Sequence, residues 1–302
     1  MTHYQLVAKN KRRSFLIVFL FIAFIVGASY VMAKGFGYSL DIVAWALVFS
    51  GVTSFFSYFY SDKIILGISG AKEASRKEFF DFYTVTENIC MGQKMPMPKL
   101  YVIEDSAMNA FATGRNPKHA VVCATTGLLG HLNRSEIEAV VAHEISHVKN
   151  YDILLMSTVS VLVGLIALLA DWFMRMSFWG GKKRDSDNNQ LGAIMAILAI
   201  ILAILSPIIA QLIQLAISRR REFLADAGSA AISKNPEGLI KALEKISADK
   251  EPLESANKAT AHLYISNPLK NTKGAVHAFA KLFNTHPPME ERIAALKQMS
   301  IK

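Results

Sequence analysis

Two histidines four residues apart with a glutamate between them, His143, Glu144 and His147 in "VVAHEISHVKNYD", form the pattern of residue types here best suited to chemistry. On a helix, positions i and i+4 leave the same face, so both imidazoles can reach one cation. Glu144 lies about 100° round from His143, close enough to handle a water without being a ligand. The plain alternative is a pair of surface histidines. A catalytic zinc usually takes three protein ligands and keeps one position open, so a further donor is expected elsewhere. "REFLADA" supplies Glu222, which can bind zinc, and one turn later Asp226, which can orient an imidazole through its other ring nitrogen. On its own such a pair is an ordinary solvated helix face; its position beside an apolar run gives it weight.

The elements that must position these residues read as follows. "NRSEIEAVVAHEISHVKN" begins at Asn133 or Ser135 with glutamates in its first turn, which predicts a helix. "MNAFATG" and "HAVVCATTGLL" flank a turn-rich "RNPK" and predict a β-hairpin, after a strand starting near Leu100. "GAKEASRKEFFDFYTVTENICMGQ" reads as an amphipathic helix on or near a membrane face. "SRRREFLADAGSAAIS" and the tail from "NPEGLIKALEKI" to "HPPMEERIAALKQM" read as helices.

Of the 302 residues 52% are hydrophobic, an excess that a core or lipid must absorb. Four uncharged runs, Ser14–Ala33, Ile42–Ser61, Ile153–Ala170 and Leu191–Ser218, can each cross about 30 Å of hydrocarbon. "KNKRR" before the first also suits a signal peptide, but the run exceeds a typical signal core, so a retained anchor is expected. The formal charge of +9 is concentrated beside these runs, at Lys9, Lys11, Arg12 and Arg13, at Lys63, Lys72, Arg76 and Lys77, and at Arg219, Arg220 and Arg221. That is the positive-inside pattern rather than a nucleic-acid surface, and it puts the N-terminus, residues 62–152 and the chain after Ser218 in the cytoplasm. Arg175, Lys182, Lys183 and Arg184 in the 171–190 loop disagree with it. Cys90 and Cys123 are expected to be free thiols.

"PKLYVIED…MNAFATGR", "VVAHEISHVKNYD", "RRREFLADAGSA" and "HPPMEERI", in this order around two hydrophobic pairs, resemble the HtpX family of membrane zinc endopeptidases, itself related to the CAAX prenyl proteases. The likeness spans nearly the whole chain. It implies one Zn2+ per chain on His143, His147 and Glu222, with Glu144 as catalytic base. It also implies a bacterial-type inner membrane location, quality control of misfolded or damaged membrane proteins, and self-cleavage. Two neutral imidazoles and one carboxylate leave such a site at about +1, enough to polarise water.

His286, at the Pro287–Pro288 helix start, is the candidate second oxyanion donor or resting-state gate, against a plain capping or surface role. Arg292 either pairs with Asp226 or faces water. Asn109, Ala110, Phe111 and Ala112 are the candidate cradle for an extended peptide, which would add as a strand to an exposed edge.

The expected fold is therefore mostly α. It is a polytopic membrane protein with about four transmembrane helices and a zincin-like catalytic domain carrying a small β-hairpin. Residues 1–61 form an anchor, 62–152 and 219–302 the two halves of the protease domain, and 153–218 a second apolar hairpin. The competing readings are a prenyl-protein CAAX protease, disfavoured by so few spans, and a zinc-stabilised scaffold or transporter in which Glu144 has no task.

Overall fold

The computed structural model describes residues 3–36, 41–162, 164, 197, 201, 205, 219–253, 260, 263–266 and 287–300. Two long helices, α1 (His3–Phe36) and α2 (Asp41–Ile68), pack side by side. The basic "KNKRR" stretch is already helical, continuous with the apolar run behind it. Among the described residues, Val43–Ile68 is the helical stretch long and apolar enough to span a bilayer, at a mean hydropathy of 1.3. Of the two later apolar runs, the described part is a helix at Asp152–Leu162, α6 below, whose Leu155, Val159 and Leu162 bury against Ile17 and Phe21 of α1. The 171–190 loop lies outside the described residues.

After α2 the chain turns at Gly70, whose φ of 63° suits a residue with no Cβ. It enters a four-stranded sheet of order β1-β2-β4-β3, made of β1 (Lys72–Glu73), β2 (Lys99–Ile103), β3 (Ala110–Gly114) and β4 (Ala120–Thr125). The expected hairpin is β3–β4, antiparallel, while β2 pairs with β4 in parallel. The helix expected from residue 70 starts later. Lys72 and Glu73 pair with Val102 and Tyr101, and the Ala74 N–H donates to the Leu100 carbonyl, so helix α3 spans only Phe80–Gln93. One face, Phe82, Val85, Ile89 and Cys90, joins the domain core, while Phe80 and Met91 are exposed.

A short α4 (Thr126–His131) leads to α5 (Arg134–Lys149), which carries the motif. Asn133 caps it: its side chain accepts from the Glu136 N–H and the Glu136 carboxylate accepts from the Asn133 N–H, a reciprocal box worth about 1 kcal/mol. Lys245 pairs with Glu136 at 2.7 Å, so α8 (Pro236–Ala248) is tied to the same helix start. From Ile137 to Val148 nearly every residue of α5 is buried, so its polar side chains must find partners inside the protein. At its far end Tyr151 adopts a left-handed φ of 58°, breaking the helix before Asp152 begins α6.

Helix α7 (Arg219–Ser233) lies against α5, with the Ser229 hydroxyl donating to the Ala139 carbonyl at 2.6 Å. Helix α9 (Met289–Ser300) closes the domain on α7 and α8. Both cysteines are buried and free, and burial pushes the Cys90 thiol up to about 11 and Cys123 higher still. The α5–α7 approach is so close that a Cβ on Gly228 would stand 2.2 Å from Ser146 Oγ and 2.9 Å from its Cβ. Gly228→Ala is therefore expected to destabilise the fold by about 1–3 kcal/mol, read as an earlier unfolding midpoint in detergent; an unchanged midpoint would contradict the close contact.

Candidate metal centre

Packing α5 against α7 brings His143, His147 and Glu222 together, buried, with one ligand atom from each within 4.8 Å of the others. The Nε2 atoms of the two imidazoles are 3.2 Å apart, their rings at 85°. Glu222 approaches His143 Nε2 at 3.8 Å and His147 Nε2 at 3.7 Å. Atoms bound at about 2.0–2.1 Å to a tetrahedral zinc stand about 3.3 Å apart, so this donor set fits one ion with little adjustment.

The outer ring nitrogens explain why the inner ones converge. His143 Nδ1 lies 3.0 Å from Asp226 Oδ1, and His147 Nδ1 lies 3.1 Å from Asp152 Oδ2. A carboxylate at Nδ1 keeps the proton there in a neutral imidazole and leaves the Nε2 lone pair free. Two lone pairs then aim at a common point, an arrangement that suits a cation and offers no hydrogen bond between the rings. Burial pulls the His143 pKa down; for His147 burial acts in the same direction, but Asp152, Glu222 and Glu144 outweigh it and push the value up to about 9. A cation bound at that nitrogen displaces its proton.

Each carboxylate is itself held. Burial favours the neutral form of Asp226, but Arg292 and His143 hold its carboxyl below the usual range. Arg292 reaches it twice, Nε to Oδ2 at 2.9 Å and Nη2 to Oδ1 at 2.6 Å. Of the two readings left open for Arg292, the structure selects the pair: the side chain is fully buried. Its Nη1 donates to the Ile265 carbonyl at 3.0 Å and stands 3.5 Å from Glu222 Oε2. Asp152 accepts from Asn10 Nδ2 of α1 at 2.7 Å, and Arg221 Nε lies 3.6 Å away.

Glu144 is buried beside the cluster. Burial pushes its carboxyl up to about 7; Glu222 adds to this, while His147, Arg292 and a hydrogen bond with the Ala112 backbone oppose it. A carboxyl in that range can exchange a proton at neutral pH. The Ala112 bond also places the middle of β3 beside the metal position.

Strand β3 is an edge strand, as a peptide cradle requires, but the edge is already engaged. The Gly114 N–H donates to Ser157 Oγ at 3.1 Å, and the Ala110 carbonyl accepts from the Ile265 N–H at 2.9 Å. Asn109 is buried, with Oδ1 accepting from Ser266 N–H at 3.3 Å and Nδ2 donating to the Ser266 carbonyl at 3.1 Å. Phe111 turns the other way and stacks edge-on against Tyr264. Thus 263–266 lies where an exposed edge was expected. His286 lies outside the described residues.

Sequence reading missed Asp152, Asn10 and the 263–266 segment. Asp152 had one available signal, its place just after His147 at a helix break. The other two make contacts across 142 and 157 residues of sequence, which no local spacing reveals.

A buried HExxH helix facing a glutamate on a second helix, each imidazole backed by a carboxylate, is the site of a metallopeptidase. The profile of Peptidase family M48 matches residues 78–300. Proteins described as "Protease HtpX homolog" from Caldanaerobacter subterraneus subsp. tengcongensis and Dictyoglomus turgidum are 41% and 43% identical to this chain. The first is aligned over 99% of both chains, and the second over 99% of this chain and 95% of its own. The crystal structure of S. mikatae Ste24p superposes with a TM-score of 0.50 at 19% identity, covering 97% of this chain and 67% of that one, a likeness of fold. The chain belongs to peptidase family M48 and is a membrane metalloprotease.

Asp152→Asn and Asp226→Asn are each expected to weaken zinc binding about 10–100-fold, measured by competition with a chromophoric chelator. Wild-type affinity in both variants would mean that the two carboxylates do not set the imidazoles.

Proposed function

We propose that the protein is a zinc-dependent endopeptidase that cleaves misfolded or damaged membrane proteins, its own chain included, at the cytoplasmic face of a bacterial-type inner membrane. The observation that carries this is the convergence of His143, His147 and Glu222, with Glu144 beside them. These three side chains would hold one zinc ion. Bound there, it supplies Lewis acidity that acidifies water and offsets charge on a carbonyl oxygen.

The protein's own groups do the rest. Glu144 takes a proton from water as the oxygen attacks the scissile carbonyl, then delivers it to the departing amine. Asp226 and Asp152 keep each imidazole in one tautomer through the cycle. Asn109, Ala110, Phe111 and Ala112 are the strand to which an extended substrate adds, main chain to main chain, so that many sequences are accepted. Because the 263–266 segment bonds to Ala110 and Asn109, it must leave those atoms before a peptide takes them. His286 is assigned the task of oxyanion donor or gate, and Pro287 with Pro288 at the start of α9 would fix its place.

The arrangement in the bilayer follows the charge pattern. We assign about four transmembrane helices: the 1–61 anchor supplies two, and the 153–218 hairpin, inserted between protease halves 62–152 and 219–302, supplies two more. Glu222 follows the hairpin and His147 precedes it. Both ends of the hairpin must therefore meet at one metal, which an even number of crossings satisfies.

In Glu144→Gln, zinc stays bound while cleavage of casein and of the chain itself is lost; an active variant would remove the base, and equal activity with and without chelator would remove the metal. Cleavage of a misfolded membrane protein but not of a prenylated peptide separates this reading from a prenyl-protein protease. Lys72→Cys should react with a membrane-impermeant maleimide only after cells are opened, and labelling of intact cells would reverse the assigned orientation.

A further inference from the structure

Away from the candidate metal centre, α1, α2, α6 and the β3–β4 turn line a half-open cavity of about 500 Å³. That is within the range of about 300–1,000 Å³ usual for small-molecule sites. Its wall is graded. Lys11, Ser14, Phe15 and Val18 follow one another along a single face of α1, so the lining passes from cationic to hydroxyl to apolar within two turns. Arg115, from the β3–β4 turn, joins Lys11 in the lining, and Phe55 of α2 joins the apolar part.

The cations are held without being neutralised. Lys11 Nζ stands 4.4 Å from the Tyr151 ring centroid, and Arg115 lies 5.3 Å from that of Phe59 while donating to the Phe59 carbonyl at 2.9 Å. Among the described residues neither belongs to an ion pair.

A second observation comes from Ser54, which lines the cavity and is 6% exposed. A serine inside an apolar helix ordinarily bonds back to the preceding turn. Ser50 does so, to the Leu47 carbonyl at 3.0 Å, and Ser14 does so to Asn10. The Ser54 hydroxyl is shut off from solvent and has no hydrogen-bond partner among the described residues, so the wall of the cavity holds an unsatisfied polar group. Phe15 at 75% exposure and Phe55 at 53% continue the apolar wall out onto the open faces of α1 and α2.

We propose that this cavity binds one anionic phospholipid. The phosphate sits between Lys11 and Arg115, and the acyl chains run out over Phe15, Val18 and Phe55. The proposal rests on α1 and α2 lying in the membrane, and not on proteolysis. Arg115 adjoins Gly114 of β3, so a bound headgroup fastens the turn beside the peptide-binding strand to the bilayer surface.

The test uses the full chain carrying Glu144→Gln, which removes self-digestion, extracted in a non-ionic detergent. It is offered phosphatidylglycerol, phosphatidylcholine or inorganic phosphate and weighed by native mass spectrometry. Retention of one phosphatidylglycerol, about tenfold preferred over phosphatidylcholine, is expected. Lys11→Gln with Arg115→Gln abolishes the preference, whereas Arg12→Gln, an exposed cation that does not line the cavity, keeps it. Equal retention of the two lipids overturns the proposal, as does equal loss in Arg12→Gln. Displacement by millimolar phosphate assigns the cations to a free anion and overturns it too. Because the readout is mass, an inactive or metal-free protein leaves this result standing, while sedimentation of the chain with carbonate-washed membranes tests the membrane premise separately.

Discussion

A guanidinium buried to complete exclusion from solvent is the constraint around which the protease domain is arranged. Arg292 needs opposite charge inside the protein, and Asp226 answers it with both oxygens. Removing one member of such a pair typically costs about 3–5 kcal/mol, because the other is left charged and dry. The pair joins α9 to α7, and Asp226 spends its remaining capacity on His143. The same guanidinium reaches the Ile265 carbonyl, so the segment lying along β3 is anchored by the group that, through Asp226, sets the candidate ligand His143. Fold closure, ligand alignment and the state of the peptide edge thus share one cation.

How much of this was readable in the residues depends on the range of the interaction. The α5 helix was legible because its cap, its spacing and its buried face are local. Glu222 and Asp226 were legible for the same reason, four residues apart on one helix. The hairpin followed from small and β-branched residues about a turn. The failures are of another kind. Lys72 and Glu73 sit in a sequence that reads as helix, yet become a strand because β2 offers unpaired backbone. The edge of β3 looked open because the segment that lies on it comes from beyond residue 260. Asp152 was passed over since its partners, His147 and Asn10, lie on two different helices.

The juxtaposition of a metal motif and an apolar run also acquires a physical reason. The left-handed Tyr151 ends α5 abruptly, so Asp152 can fold back on His147 while α6 continues into contact with α1. The break that separates the catalytic helix from the apolar segment therefore also supplies the carboxylate that steers a ligand. Polar chemistry and an apolar helix can adjoin because the few residues between them serve both.

One link in that junction reaches further than its size suggests. Asn10 belongs to α1, and its amide donates to Asp152, which in turn holds His147, so an imidazole deep in the protease domain is braced from the anchor. The first helix is accordingly tied to the candidate metal centre through Asp152. A chain lacking α1 would keep His143, His147 and Glu222 and lose the amide that holds Asp152 against His147.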